Sequence, residues 1–329
     1  MPKRRQTKRK STSDRPITYR GRSYPVIDRK RVGRRDLLVL ARLGSAGRER
    51  LQVWDTAAGA TGMRLLLRVP AAAKKKSTAV SAILAASSHP SFPQVLETHR
   101  DGDDVLVLTA WVEGVTLEER MQRSRDGRLP WPSVPDAWKL YRSLCHALTT
   151  FHRATNVVHN DIRPDNLIIN RRPERVVLVD FGSAWNIERA TQADNGDGVS
   201  PPWSAPERLN GSSACDFRGD YFSAAAIGYQ LLTGDTPYDK LGGVAGTLAP
   251  ADRPRLTPAS KAARRKDALP AGAWSAIDKC LAAGLALEAT DRPDGPSELL
   301  QLVNHPHQLL TTSAGPRGWQ RCFIDWLTG

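Results

Sequence analysis

VVHNDIRPDNLIIN (157–170), VVLVDFGSA (176–184) and SPPWSAPERL (200–209) follow one another in this 329-residue chain. The apolar runs LIIN after Asn166 and VVLV before Asp180 have the length and β-branched content of strands, and together they read as a β-hairpin. Such a hairpin presents Asn166 and Asp180 from a rigid base, with Asp161 just upstream. Taken singly, each of these residues is an ordinary polar group in a turn. Their joint occurrence, in this order, is not.

Working outward, strand-like runs precede the stretch: LLVLARL (37–43), ERLQVWD (49–55), MRLLLRV (63–69) and VLVLTAWV (105–112), separated by Gly-containing turns. STAVSAILAASS (77–88) suits one helix and HPSFP (89–93) breaks it. After Gly114 the chain turns helical. Trp138, Tyr141, Cys145, Leu148 and His152 recur at spacings of three and four, and YFSAAAIGYQLL (221–232) is apolar nearly all round, as a helix buried inside a lobe must be. AWSAIDKCLAAGL (273–285) and GPSELLQLV (295–303) suit further helices, whereas 241–260 is Gly/Pro-rich and reads mostly as loop.

The three opening motifs resemble the catalytic loop, the magnesium-binding loop and the end of the activation segment of eukaryotic-type (Hanks-type) Ser/Thr protein kinases. The resemblance covers roughly residues 36–305 and is strongest from 140 onward. It implies an α+β, bilobal protein-kinase-like fold, with a small β-rich N-lobe (36–114) and a larger, mainly helical C-lobe (115–310). It also implies ATP and Mg²⁺ (or Mn²⁺) as cofactors and a protein substrate. Phosphoryl transfer depends on positioning the nucleophile and neutralising phosphate charge, and carboxylates with one amide do both. Asp161 matches the catalytic Asp that orients the attacking hydroxyl, and Arg163 stands where Ser/Thr kinases usually have Lys. Asn166 and Asp180 match the metal ligands that place the nucleotide. His159 opens the catalytic loop as a structural residue. Glu207 and Arg292 resemble the ion pair that locks the activation segment, and Asp220 resembles the helix-start Asp that brackets the catalytic loop. Ser200 falls where the family has a Thr that contacts the catalytic Asp; keeping a hydroxyl there favours Ser/Thr over Tyr acceptors. Small-molecule kinases share the H-x-D-x-x-x-x-N logic, but SPPWSAPE with Asp220 and Arg292 belongs to the protein-substrate platform.

The small lobe departs from the pattern. Arg68 stands where the family has the Lys that contacts the α- and β-phosphates, with Lys74, Lys75 and Lys76 as other sources of an ammonium. No acid lies between Asp55 and Glu97, and an apolar residue near Val80 takes the place of the Glu that partners that Lys. The nucleotide-covering loop keeps only Gly44 and Gly47, beside Arg48 and Arg50. Asn160 replaces the usual Arg before the catalytic Asp, so phosphorylation of the activation segment is not expected to be the main switch. These departures leave three readings: an atypical Ser/Thr kinase, a nucleotide-binding pseudokinase that serves as scaffold, and a protein acting through a nucleic-acid-tethering tail.

That tail is residues 1–35. They contain 14 Lys or Arg and two Asp, a net of +12 of the chain's +14. With few apolar residues to offset ordering entropy, the segment reads as largely disordered: either a solvated, solubilising tail or one that makes loose contact with an anionic partner such as nucleic acid or an acidic protein. The four cysteines are scattered and form no C-x-x-C pair, as expected of small buried hydrophobes in a reducing cytoplasm. No apolar run reaches the roughly 20 residues of a membrane span. In the C-terminal extension (311–329), Trp319, Phe323 and Trp326 fall on one helical face, suited to packing on the large lobe or, alternatively, to binding a partner.

Overall fold

Strict alternation of apolar side chains builds the first sheet. Leu37 and Val39, Leu51 and Val53, Leu66, and Leu106 and Leu108 face one side of four neighbouring strands and form a single buried cluster with Val32. Each such side chain contributes roughly 1.5–3 kcal/mol by leaving water. The computed structural model describes residues 15–43, 50–69, 88–171, 174–186, 200–211 and 216–312. Its strands are β1 (Ile17–Tyr19), β2 (Arg22–Tyr24), β3 (Asp28–Val32), β4 (Arg35–Leu43), β5 (Arg50–Asp55), β6 (Met63–Val69), β7 (Val95–Asp101) and β8 (Asp104–Ala110). Strands β3 to β8 make one antiparallel sheet in the order β3-β4-β5-β6-β8-β7. A buried carboxylate ties its base: Asp55 accepts from Arg35 Nη1 at 2.5 Å, and Arg35 Nε reaches Glu97 at 2.7 Å.

The expectation of a disordered tail through residue 35 is corrected over its second half. β1 and β2 pair as a hairpin, and β3 pairs with β4 along its whole length. Tyr19 packs edge-on against Trp54 with centroids 5.7 Å apart, and Val32 is buried. The cations of β3 are tolerated because an edge strand keeps one row of groups in water, where charge also discourages further pairing. Residues 1–14 lie outside the described residues, as do Gly44, Gly47, the expected helix over 77–87 and the face carrying Trp319.

The chain divides into two compact units. One contains the described residues up to Val69 together with Val95–Trp111; the other contains residues 88–94 and the described residues from Val112 onward. The HPSFP segment thus groups with the second unit, although in chain order it falls inside the expected N-lobe. Among the described residues the second unit's helices longer than eight residues are α1 (Leu117–Arg125), α2 (Val134–Thr155), α3 (Phe217–Thr233), α4 (Ala273–Gly284) and α5 (Pro296–Thr312).

Local chemistry sets these limits. Ser133 caps α2, its Oγ accepting from Asp136 N at 3.3 Å, and Asn156 ends the helix in the left-handed region with φ 52°. Asp216 caps α3 and Gly234, at φ 84°, terminates it. From Asp220 to Thr233 every residue of α3 is buried, and α2 crosses it closely at Gly228, where a Cβ would lie 2.8 Å from the Tyr141 ring. The predicted hairpin is present as β11 (Leu167–Arg171) against β12 (Glu174–Leu178), with Leu167 opposite Leu178. It is extended by β9 (Val115–Thr116), while β10 (Val157–Val158) pairs with β13 (Trp185–Asn186). The stretch expected as loop, 241–260, includes two short 3-10 helices, Gly242–Thr247 and Pro250–Asp252. Among the described residues no helix is long and apolar enough to cross a membrane.

Candidate active site

The loop between β10 and β11 holds its shape through a buried carboxylate on another element. Asp220, in the first turn of α3, accepts from the main-chain N–H groups of His159 at 2.8 Å and Asn160 at 2.9 Å, and its Oδ2 lies 2.8 Å from His152 Nε2. Burial pushes the Asp220 carboxyl up, but the hydrogen bond from His152 and the nearby imidazoles outweigh it and hold the group below its usual range. Asn160 is thereby fixed at φ 68°, a left-handed conformation that Asn tolerates better than most residues.

This turn delivers Asp161. Asn166 Nδ2 donates to both the main-chain oxygen and Oδ2 of Asp161, each at 2.9 Å. Burial raises the Asp161 pKa, and the Asp180 charge adds to the rise against the lowering influence of His159, Asn166 and Arg163. Its carboxylate is therefore a better proton acceptor than an exposed one. Val179 N donates to Asn166 O at 2.9 Å and leads to Asp180, itself at φ 64°. Phe181 is buried against Phe151, His159 and Phe92, with centroids 5.2, 5.0 and 6.0 Å away. These rings fix the turn from below. His159 is wholly buried, its pKa lowered chiefly by desolvation, and its Nε2 lies 3.3 Å from Val179 O.

Residues 200–209 are tied to the same loop through Arg163. Arg163 donates from Nη1 to Ser200 Oγ at 3.0 Å and from Nε to Asp165 at 3.0 Å, and its guanidinium lies 5.9 Å from the Trp203 ring centre. Ser200, expected to contact Asp161, instead accepts a hydrogen bond from Arg163. Glu207 and Arg292 form the expected ion pair, with two bonds of 2.7 and 2.9 Å to a guanidinium that is fully buried. Arg292 also donates to the carbonyls of Ala286, Leu287 and Arg218.

Arg68 lies on β6 in the first unit. Its Nη2 is 2.6 Å from Asp101 and its Nε 2.9 Å from Asp104, at the turn joining β7 and β8. It is about one-third exposed. Lys74, Lys75 and Lys76 lie outside the described residues.

A family model for the protein kinase domain matches residues 68–304, well over half of the chain. The chain belongs to the protein kinase family. The matched span of this kinase-family chain begins at Arg68, so β1 to β5 precede it. Among curated proteins, serine/threonine-protein kinase pkn2 of Myxococcus xanthus is 28% identical over 168 residues, 48% of this chain and 19% of that protein. Probable serine/threonine-protein kinase pknA2 of Bifidobacterium longum is 32% identical over 157 residues, 47% of this chain and 20% of that protein. The aligned part thus spans about a fifth of the length of these relatives. Among solved structures, the Cydia pomonella granulovirus kinase PK-1 shares the fold, with a TM-score of 0.61 at 16% identity over 80% of this chain and 93% of that one.

The donors present fit a hard cation shared with a substrate. Both hydrogen bonds made by Asn166 Nδ2 go to Asp161, so its amide oxygen and the Asp180 carboxylate are the oxygen donors that could hold such an ion. Among the described residues no group of three or more His, Cys, Asp or Glu could hold a metal alone. Two protein ligands completed by phosphate and water is the manner in which Mg²⁺ is commonly held. Sequence reasoning placed His152 only on an apolar helix face and missed its bond to Asp220; it also missed Trp203 beside Arg163 and the ring cage around Phe181. Only the presence of a His amid apolar neighbours on α2 signalled the first.

Proposed function

We propose that this kinase-family chain transfers the γ-phosphate of ATP to Ser or Thr hydroxyls of protein substrates. The observation that supports it most is the environment of Asp161. It is a half-buried carboxylate of raised pKa, held by Asn166 on a loop that Asp220 braces, close enough to Asp180 to feel its charge. Bound Mg·ATP supplies the phosphoryl group and a cation that offsets its charge. Asn166 and Asp180 are the residues to hold that cation, Asp161 orients the acceptor hydroxyl and takes its proton, and Arg163 offsets charge on the phosphoryl oxygens. Asp220 and the aromatic cage keep these groups in place without further reorganisation. Incubation with labelled ATP, Mg²⁺ or Mn²⁺ and a mixed protein substrate, followed by phosphoamino-acid analysis, tests this. Phosphoserine or phosphothreonine is expected; phosphotyrosine alone, or no product with either metal, contradicts it.

A specific observation favours a second reading, a nucleotide-binding pseudokinase. Arg68 is engaged by Asp101 and Asp104, and no acid between Asp55 and Glu97 is available to partner a phosphate-binding cation. Nucleotide-induced thermal stabilisation without phosphate transfer identifies this second case.

A further inference from the structure

The segment that follows α3 is under two constraints that neither the fold nor the phosphate chemistry explains. Tyr238, Asp239 and Lys240 are three successive non-glycine residues in the left-handed region, at φ 56°, 53° and 74°, and Gly242 follows at φ 56°. Backbone in this region persists only where its surroundings over-determine it. Tyr238 supplies one such anchor, its hydroxyl donating to Leu285 O at 2.6 Å; Thr236 Oγ1 donates to Lys240 O at 2.8 Å, and Gly242 N to Pro237 O at 2.9 Å. The turn aims the 3-10 helix Gly242–Thr247 at the end of the activation segment. A Cβ on Gly242 would run into Pro202 O and one on Gly243 into Ser204 O, both far inside 3.0 Å; a Cβ on Gly246 would meet the Pro206 ring at 2.5 Å. Three glycines therefore let one backbone lie directly on another, along residues 202–206.

The backbone they support is the one that shapes the acceptor side. Ser200 O accepts from Trp203 N and Ser204 N, each at 2.9 Å, and Ser200 N donates to Ser204 Oγ at 3.1 Å. Trp203 Nε1 is tied to Gln230 of α3 at 3.0 Å, and Ser200 Oγ receives Arg163. Asp161, Asn166 and Asp180 depend on other supports, namely Asp220 and the β11–β12 hairpin.

We propose that Gly242, Gly243 and Gly246 are positioning residues for the protein acceptor: by seating the 3-10 helix on the backbone of 202–206, they hold Ser200 and Trp203 in the shape that receives the acceptor chain. The kinetic consequence rests on the phosphorylation reading above; the structural one does not. Two measurements on the full chain test it, in the wild type, Gly243→Ala and the milder Gly246→Ala. In hydrogen exchange, the amides of Trp203 and Ser204 in Gly243→Ala are expected to exchange at least about tenfold faster, with α3 still protected. In steady-state transfer to a protein acceptor, KM for the acceptor is expected to rise about tenfold while kcat changes less than about threefold. Should Gly243→Ala lose protection throughout α3, Gly246→Ala carries the same two readouts with a softer clash. Wild-type exchange at 203–204 in both variants overturns the proposal, as does a fall in kcat at unchanged acceptor KM. If the wild type transfers no phosphate at all, the phosphorylation reading falls, and the exchange measurement still decides whether the glycines hold the platform.

Discussion

Asp161 and Arg68 stand in contrasting settings. Asp161 sits in a loop whose every neighbour is fixed by a second buried group: Asn166 by its two bonds, His159 and Asn160 by Asp220, Phe181 by three rings. Arg68 is a strand residue at the surface of its own unit, paired with two acids at the tip of a hairpin. In the second unit the polar groups are pre-organised at the expense of buried charge, which is how sites that stabilise a transition state are built. In the first unit the cation is held by partners whose exposure makes them weak. The carboxylate of Asp161 and the guanidinium of Arg68 are thus held to different standards within one chain.

The largest effect that tests this contrast is on transfer itself. Asp161→Asn is expected to lower kcat by about 10²- to 10⁴-fold, the usual worth of a positioned base. A loss below tenfold, measured with saturating acceptor, removes Asp161 from the chemistry. Next comes the buried pair under the acceptor side. Arg292→Met leaves Glu207 without its partner and three carbonyls without a donor, and is expected to cost about 3–5 kcal/mol in urea denaturation. A cost under 1 kcal/mol shows that the pair is not a fastening.

The pH dependence sharpens the comparison further. Only the ionised carboxylate accepts a proton, and burial raises the Asp161 pKa, so activity falls as pH drops through that raised value. The acid limb of kcat is expected above the pH near 3.9 at which an ordinary aspartate titrates. A limb at or below that pH in the enzyme–nucleotide complex places Asp161 in a more exposed setting than the one described. The smallest effect concerns Arg68. Releasing it by Asp101→Asn with Asp104→Asn is expected to change folding stability by less than about 1 kcal/mol, because exposed pairs contribute little. Nucleotide affinity is expected to tighten by no more than about fivefold. A tenfold weakening instead shows that the acids serve the nucleotide rather than compete with it.

Much of this was legible in sequence, for reasons that also explain what was not. β6 spans Met63–Val69, the predicted run, because five of its seven residues are apolar; the β11–β12 hairpin and the all-round apolar α3 were equally plain. β3 and β7 were missed because both are edge strands that expose most of their side chains, so the period-two apolar signal is absent. The helical reading after Gly114 gave α1 no bounds of its own because α1 buries only Leu117, Arg120 and Met121, although Thr116-x-x-Glu119 is a capping sequence, with Glu119 N donating to Thr116 Oγ1 at 3.0 Å. Asp161, Asn166 and Asp180 were readable from spacing because they lie close together in the chain. The bonds from His152 to Asp220, from Arg163 to Ser200 and from Arg68 to Asp101 join residues 68, 37 and 33 positions apart, and no local pattern encodes them.

Asp180 most directly tests the proposal that the second unit places a metal-bound nucleotide for transfer. Phosphate transfer and nucleotide-induced thermal shift, measured together with Mg²⁺ for wild type and Asp180→Ala, are expected to show transfer lost and the metal-dependent part of the shift abolished. If Asp180→Ala transfers phosphate and is stabilised by Mg·ATP as the wild type is, the site is not where these residues place it.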